Sequence, residues 1–122
     1  MSCLFDSLSH FVNRSSTDLR HDIVSYLQTN PKLMNDVTFN EIMSWENANQ
    51  NDYLNAMNQN QTWGGAIEIK AFVNMFHINV VVHIPAIQKM VEFVYDDDHK
   101  HSYPFVHILW TGNHFVPLRS HA

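Results

Sequence analysis

The only cysteine of this 122-residue chain is its third residue, and nine histidines are spread along the rest. A thiol and an imidazole are the minimum set for nucleophilic acyl transfer, in which the imidazole takes the thiol's proton and the thiolate attacks a carbonyl carbon. The base is usually distant in sequence from its cysteine, so spacing alone does not choose among the histidines. Cys3 stands in the stretch MSCLFDSLSHF, where Leu4, Leu8 and Phe11 recur at i, i+4 and i+7 and predict a helix with one buried stripe. Cys3 then falls at or just before the first helical turn, where unpaired N–H groups and the positive end of the helix dipole favour a thiolate. The plainer alternative is a small apolar residue filling a gap near the end of the chain.

Among the histidines, His114 differs in its setting. It follows Gly112-Asn113 and opens the apolar run HFVPL, which would present an imidazole at a sheet edge; a structural role fits that position equally well. His99 and His101 flank Lys100 beside Asp96-Asp97-Asp98 and read as a solvated loop between strands. Their ligand types would suit a metal, but their spacing matches no metal motif. His10, His21 and His121 fall on predicted polar faces or at the chain end. His77 and His83 lie in or beside apolar runs and read as packed residues with satisfied ring N–H groups.

Other schemes lack their parts. Gly64-Gly65 has neither the further glycines nor the lysine of a phosphate-cradling loop, and no C-x-x-C pair or H-E-x-x-H helix occurs. Asp96 to Asp98 repel one another in an exposed stretch and give no poised acid and base. No metal and no cofactor is expected.

The elements that must position these groups can be read from periodicity and caps. Ser15-Ser16-Thr17-Asp18 has the capping-box spacing ahead of a helix with Leu19, Ile23, Tyr26 and Leu27 on one face, ended by Asn30-Pro31. Thr38-Phe39-Asn40-Glu41 opens a helix carrying Ile42 and Trp45. The Asn- and Gln-rich segment 47–61 still places Tyr53, Leu54 and Met57 at helical spacing and predicts a polar-faced helix followed by a loop. After Gly64-Gly65 a further helix carries Ile69, Phe72, Val73 and Phe76. Short β-branched or aromatic runs then predict strands over 79–84, 91–95, 105–110 and 114–118, the last two joined by a hairpin at Thr111-Gly112-Asn113. Val80 to Ile84 is nearly all apolar, as in a central strand covered on both faces. Helices first and strands second predict an α+β or αβα sandwich domain, with residues 1–122 as a single domain.

Composition removes several function classes. A chain that is 45% hydrophobic and 12% aromatic is not disordered. Seven basic against twelve acidic residues give a net charge of −5 without a Lys/Arg cluster, which argues against nucleic acid as a partner. The sequence has no apolar run of membrane-spanning length and no signal-peptide pattern, so no membrane partner is expected. A single cysteine fits a reducing, intracellular compartment, and a cytoplasmic location is expected.

Three segments, in order, resemble the ovarian-tumour (OTU) family of deubiquitinating cysteine proteases. Cys3-Leu4-Phe5 followed by Ser7 is similar to the family's nucleophile helix. Trp63-Gly64-Gly65-Ala66-Ile67-Glu68-Ile69-Lys70-Ala71 is similar to its W-G-G-x-x-E-[IL]-x-A segment. Asn113-His114-Phe115 resembles the place of its catalytic histidine at the start of the last strand. Leu19-Arg20 with Ile23, Val24, Tyr26 and Leu27 is also similar to the family's second helix. Together these marks span positions 3 to about 118.

The resemblance implies an OTU-like fold with helices packed around a small, mostly antiparallel sheet drawn from the C-terminal half. It implies Cys3 as nucleophile, His114 as general base and then acid, and a backbone oxyanion hole. The bond cleaved would be the isopeptide bond at the C-terminus of ubiquitin or a ubiquitin-like modifier. Trp63, Gly64 and Gly65 would bind substrate, the glycines allowing close backbone approach to a Gly-Gly tail, although a tight helix entry would need the same; Glu68 would be structural. Two departures accompany these marks. The family's usual Asp, three residues before the cysteine in a glycine-containing loop, would precede Met1, and its Asp or Asn two residues after the histidine is here Val116. Asn113 is polar, but being adjacent to His114 on an extended strand it would point to the opposite face. The expectations are therefore a Cys-His dyad, or an inactive OTU-like ubiquitin-binding or interaction module, with a His/Asp metal-binding domain as a third class.

Overall fold

In the computed structural model, residues 3–118 are described. The chain opens with α1 (Cys3–Ser9) and α2 (Ser16–Gln28), followed by a short hairpin of β1 (Lys32–Met34) and β2 (Val37–Thr38). Three helices come next: α3 (Phe39–Trp45), α4 (Gln50–Met57) and α5 (Ala66–Phe76). The remaining strands are β3 (Asn79–Ile84), β4 (Lys89–Phe93), β5 (Phe105–Trp110) and β6 (Phe115–Leu118).

Helices α2 and α3 begin where their caps predict, and α4 has a cap of the same kind. The Ser15 hydroxyl accepts the Asp18 N–H, Thr38 accepts that of Glu41, and the Asn49 side chain accepts that of Asp52. Each bond satisfies one of the donors that a helix start leaves unpaired. Asn30, at φ +54°, leaves the right-handed helical region just before Pro31 and ends α2.

Strands β3 to β6 form one sheet in the order β4-β3-β5-β6, with β3 parallel to β5 and the two outer pairs antiparallel. One face of this mostly antiparallel sheet meets the helices. Val80, Val82 and Ile108 are buried there with Phe5, Leu8, Leu19, Ile23, Phe39 and Phe72. The apolar run of β3 is central, as predicted, because β4 and β5 flank it. Alternation sends Val81, His83, His107, Leu109 and Val116 to the opposite face. His83 does have a partner there, since its Nε2 shares a 2.8 Å hydrogen bond with Nδ1 of His107.

Four details differ from the sequence reading. The β1–β2 hairpin was not expected, because strands of three and two residues give no detectable alternation. It is set by Asn35 at φ +51° and by the Asn74 side chain donating to the carbonyls of Lys32 and Leu33. Strand β4 covers 89–93 rather than 91–95. Gln88, at φ +54°, closes a 3-10 turn over Pro85–Ile87 and puts Lys89 opposite Ile84, while the Val94 carbonyl accepts Lys70 Nζ and the Tyr95 N–H donates to the Asn79 side chain. Trp45 is 67% exposed although Ile42 on the same helix is buried. His77 is not packed within the core; it caps α5 at φ +56° and stacks on Tyr95 with ring centroids 4.0 Å apart.

Candidate active site

Helix α1 buries Leu4, Phe5, Ser7 and Leu8 and places Cys3, half-buried, in its first turn. The Ser7 hydroxyl donates to the Cys3 carbonyl at 2.8 Å and tightens that turn. Strand β6 packs against α1, and His114 immediately precedes β6, so the two residues that the sequence separates by most of its length belong to adjoining elements.

His114 is set by the hairpin ahead of it. Trp110 pairs with Phe115, leaving Gly112 and Asn113 as the tip between Thr111 and His114. Gly112 has φ +106°, which a two-residue hairpin loop requires and which only glycine adopts freely. Thr111 holds the histidine backbone from both sides. Its N–H donates to the His114 carbonyl at 2.9 Å, and its hydroxyl accepts the His114 N–H at 3.2 Å. Among the described residues no hydrogen bond reaches the His114 ring, and none joins it to Cys3 Sγ.

The Trp63-Gly64-Gly65 segment lies between these two elements. The indole of Trp63 stacks on the His114 imidazole, with centroids 6.1 Å apart and planes 25° apart, and meets Trp110 edge-on at 6.5 Å. Gly64 lies against α1, where a Cβ would stand 2.7 Å from Leu4 Cδ2 and 3.1 Å from the Phe5 ring. Gly65 would meet nothing within 4 Å; the constraint falls on Gly64 alone. The structure thus brings Trp63, Gly64 and His114 together with the helix that carries Cys3.

The segment is anchored from below by a buried polar cluster that only partly shows in the sequence. Glu68 is 1% exposed; its Oε1 accepts the Gly65 N–H at 2.8 Å and its Oε2 accepts the Tyr53 hydroxyl at 2.6 Å. Burial pushes the Glu68 carboxyl up, while the two donors and the Arg20 charge oppose the shift. Arg20, also 1% exposed, donates to the carbonyls of Met57 at 2.7 Å and Asn60 at 3.3 Å. Its guanidinium lies 4.2 Å above the Phe5 ring, so it joins α1 to the segment that leads into Trp63. Glu68 is structural, as expected. Tyr53, Arg20 as an anchor, and Thr111 were not singled out by sequence reasoning. An arginine between Leu19 and Ile23 on an otherwise apolar face was the available signal for one of them.

An apolar trough of about 210 Å³ between α5 and the sheet is lined by Ala66, Ile69, Val82, Val91, Phe93 and Trp110 among others, and Trp110 in turn meets Trp63. Asp96, His99 and their neighbours form an exposed loop in which the His99 ring pairs with Asp96 at 3.0 Å. Among the described residues no group of three or more potential metal ligands exists. No helix among them is long and apolar enough to cross a membrane. His121 lies outside the described residues.

Comparison with known proteins agrees with the fold. The chain covers 95% of its own length and 62% of that of an ovarian-tumour domain solved in complex with ubiquitin, at TM-score 0.75 and 22% identity. It therefore spans somewhat less than two thirds of that relative. The OTU domain of OTUD1 superposes at TM-score 0.71 with 17% identity, covering 98% of this chain and 79% of that one. The viral OTU domain protease of Dera Ghazi Khan virus gives 0.66 and 17%, covering 99% and 76%. At these identities the likeness speaks for the fold. No curated protein matches the chain. The sequence profile of the OTU-like cysteine proteases matches residues 2–115, nearly the whole chain, and on that ground the chain belongs to the OTU-like cysteine protease family.

Proposed function

We propose that this protein is a deubiquitinating cysteine protease that hydrolyses isopeptide bonds at the C-terminus of ubiquitin or a ubiquitin-like modifier. The observation that carries the proposal is the meeting of α1, Trp63-Gly64 and the His114 hairpin, which brings the only thiol and one imidazole to adjoining elements beside an apolar trough. In this reading His114 takes the proton of Cys3, and the sulfur attacks the isopeptide carbonyl carbon to give a tetrahedral oxyanion. The imidazolium then protonates the departing lysine amine. Water, deprotonated by the imidazole, hydrolyses the thioester and releases the modifier's carboxylate and the free thiol. The trough would receive the modifier's extended tail. No metal or cofactor enters this chemistry. A reducing, cytoplasmic setting would keep the thiol available.

A second reading is an OTU-like domain that binds ubiquitin or another partner without turnover. Two features favour it: among the described residues the His114 ring has no acidic partner, and the position two residues after His114, where the family carries an Asp or Asn, is Val116. A ubiquitin C-terminal electrophile separates the two. The protease reading expects labelling of the parent and of His114→Gln at reduced rate, and none of Cys3→Ala. An unlabelled parent that still binds ubiquitin would establish the module instead.

A further inference from the structure

We propose that Trp63 is a positioning residue for His114, holding the imidazole by stacking where the acid of a full triad would hold it by hydrogen bonding. This rests on the protease reading and assigns Trp63 a role other than substrate contact.

The His114 backbone is pinned by Thr111, but its ring, which makes no hydrogen bond among the described residues, could still turn about its own side-chain bonds. The face it presents to Trp63 limits that rotation. The rings are near-parallel at 25° with centroids 6.1 Å apart, the offset arrangement that aromatic pairs prefer. Trp63 is 43% exposed, yet neighbours hold it on its inner side, and an indole so held can orient its neighbour. Trp110 meets it edge-on at 80°, Gly64 seats the following peptide against Leu4 and Phe5, and Glu68 holds the Gly65 N–H. The stack also changes in the sense that catalysis needs. Once the imidazole has taken the thiol's proton it is a cation 6.1 Å from the indole centroid, at the outer edge of the range in which an aromatic ring attracts a cation. An acid at position 116 would serve both purposes, orientation and charge stabilisation, and Val116 serves neither.

The test compares the parent with Trp63→Leu and Trp63→Phe on a ubiquitin-tail substrate, with folding checked by circular dichroism. A positioning role predicts that kcat falls about tenfold or more in Trp63→Leu with KM within about twofold, and that Trp63→Phe recovers most of kcat because an aromatic face is restored. A raised KM with kcat retained would overturn the proposal and make Trp63 a substrate contact. Parent-like kinetics in both variants would also overturn it. An independent readout is the proton NMR of the His114 ring, assigned by its loss in His114→Gln. Ring-current shifts present in the parent and Trp63→Phe and absent from Trp63→Leu are expected. Unshifted ring protons in the parent would show that the stack does not form in solution and would end the proposal whatever the kinetics. A parent that shows the shifts yet neither turns over nor labels at Cys3 would overturn the protease reading, and the positioning role with it, while leaving the stack itself established.

Discussion

Gly64 and Leu4 approach so closely that a methyl group on Gly64 would stand 2.7 Å from Leu4 Cδ2, with the Phe5 ring at 3.1 Å behind it. Leu4 and Phe5 are both fully buried and cannot swing into solvent to relieve the clash. The first helix and the Trp63-Gly64-Gly65 segment therefore fit only because one residue has no side chain. Its neighbour Gly65 is under no such constraint.

The two glycines should then separate in stability. Gly64→Ala is expected to cost about 1–3 kcal/mol, as overpacking does in a dense core. Gly65→Ala should cost less than about 1 kcal/mol, the difference between glycine and alanine at a helix start. Urea midpoints at constant m-value measure both. Equal losses would mean that the close approach at Gly64 is relieved by movement of α1.

Arg20 should be among the least replaceable residues in the chain. Arg20→Ala is expected to cost about 3–5 kcal/mol, because it takes the donor from the buried Met57 carbonyl and removes the cation that offsets Glu68. Arg20→Lys should rescue only part of this, since an ammonium cannot reproduce the planar fork that spans the Met57 and Asn60 carbonyls over Phe5. A lysine variant as stable as the parent would show that charge alone suffices.

Glu68 gives the stability a pH dependence of definite sign. Burial raises its carboxyl above the ordinary value of 4.5. Between the unfolded and folded values the folded protein holds the extra proton, so this group's contribution is complete below the unfolded value and is lost as pH rises through the folded one. The stability of the parent minus that of Glu68→Gln should accordingly decline as pH is raised from 4.5 and then level off. Tyr53→Phe, which removes a donor from the carboxylate, should extend the decline to higher pH. Parallel denaturation profiles for parent and Glu68→Gln across that range would refute the assignment.

Val116 marks where chemistry could be added. It is 37% exposed on the face opposite Phe115, two residues beyond His114, so an introduced carboxylate need not be buried unpaired. On the protease reading, Val116→Asp or Val116→Asn should raise turnover of a ubiquitin-tail substrate severalfold, while His114→Ala abolishes it. If His114→Ala cleaves as fast as the parent while Cys3→Ala does not, the base is another histidine.

The sequence by itself determined the elements whose causes are local. Caps at Ser15 and Thr38 start helices because the donors they satisfy lie three residues away. The apolar run of β3 and the Thr111-Gly112-Asn113 turn are equally self-contained, since backbone sterics and alternation act within a few residues. Cys3 and His114 could be named from residue type, position and family resemblance without any knowledge of how near they lie. What only the tertiary structure decided are the relationships between distant residues. The parallel pairing of β3 with β5 across an intervening strand leaves no local pattern. Nor could spacing show that Tyr53 would reach Glu68, that Arg20 would lie over Phe5, or that Gly64 rather than Gly65 would carry the packing constraint. The ring facing His114 belongs to this second group. The family resemblance puts Val116 where an Asp or Asn usually stands, but Trp63 is 51 positions from His114 in the chain, and only the folded packing of α1, β6 and the segment between α4 and α5 sets its indole against the imidazole.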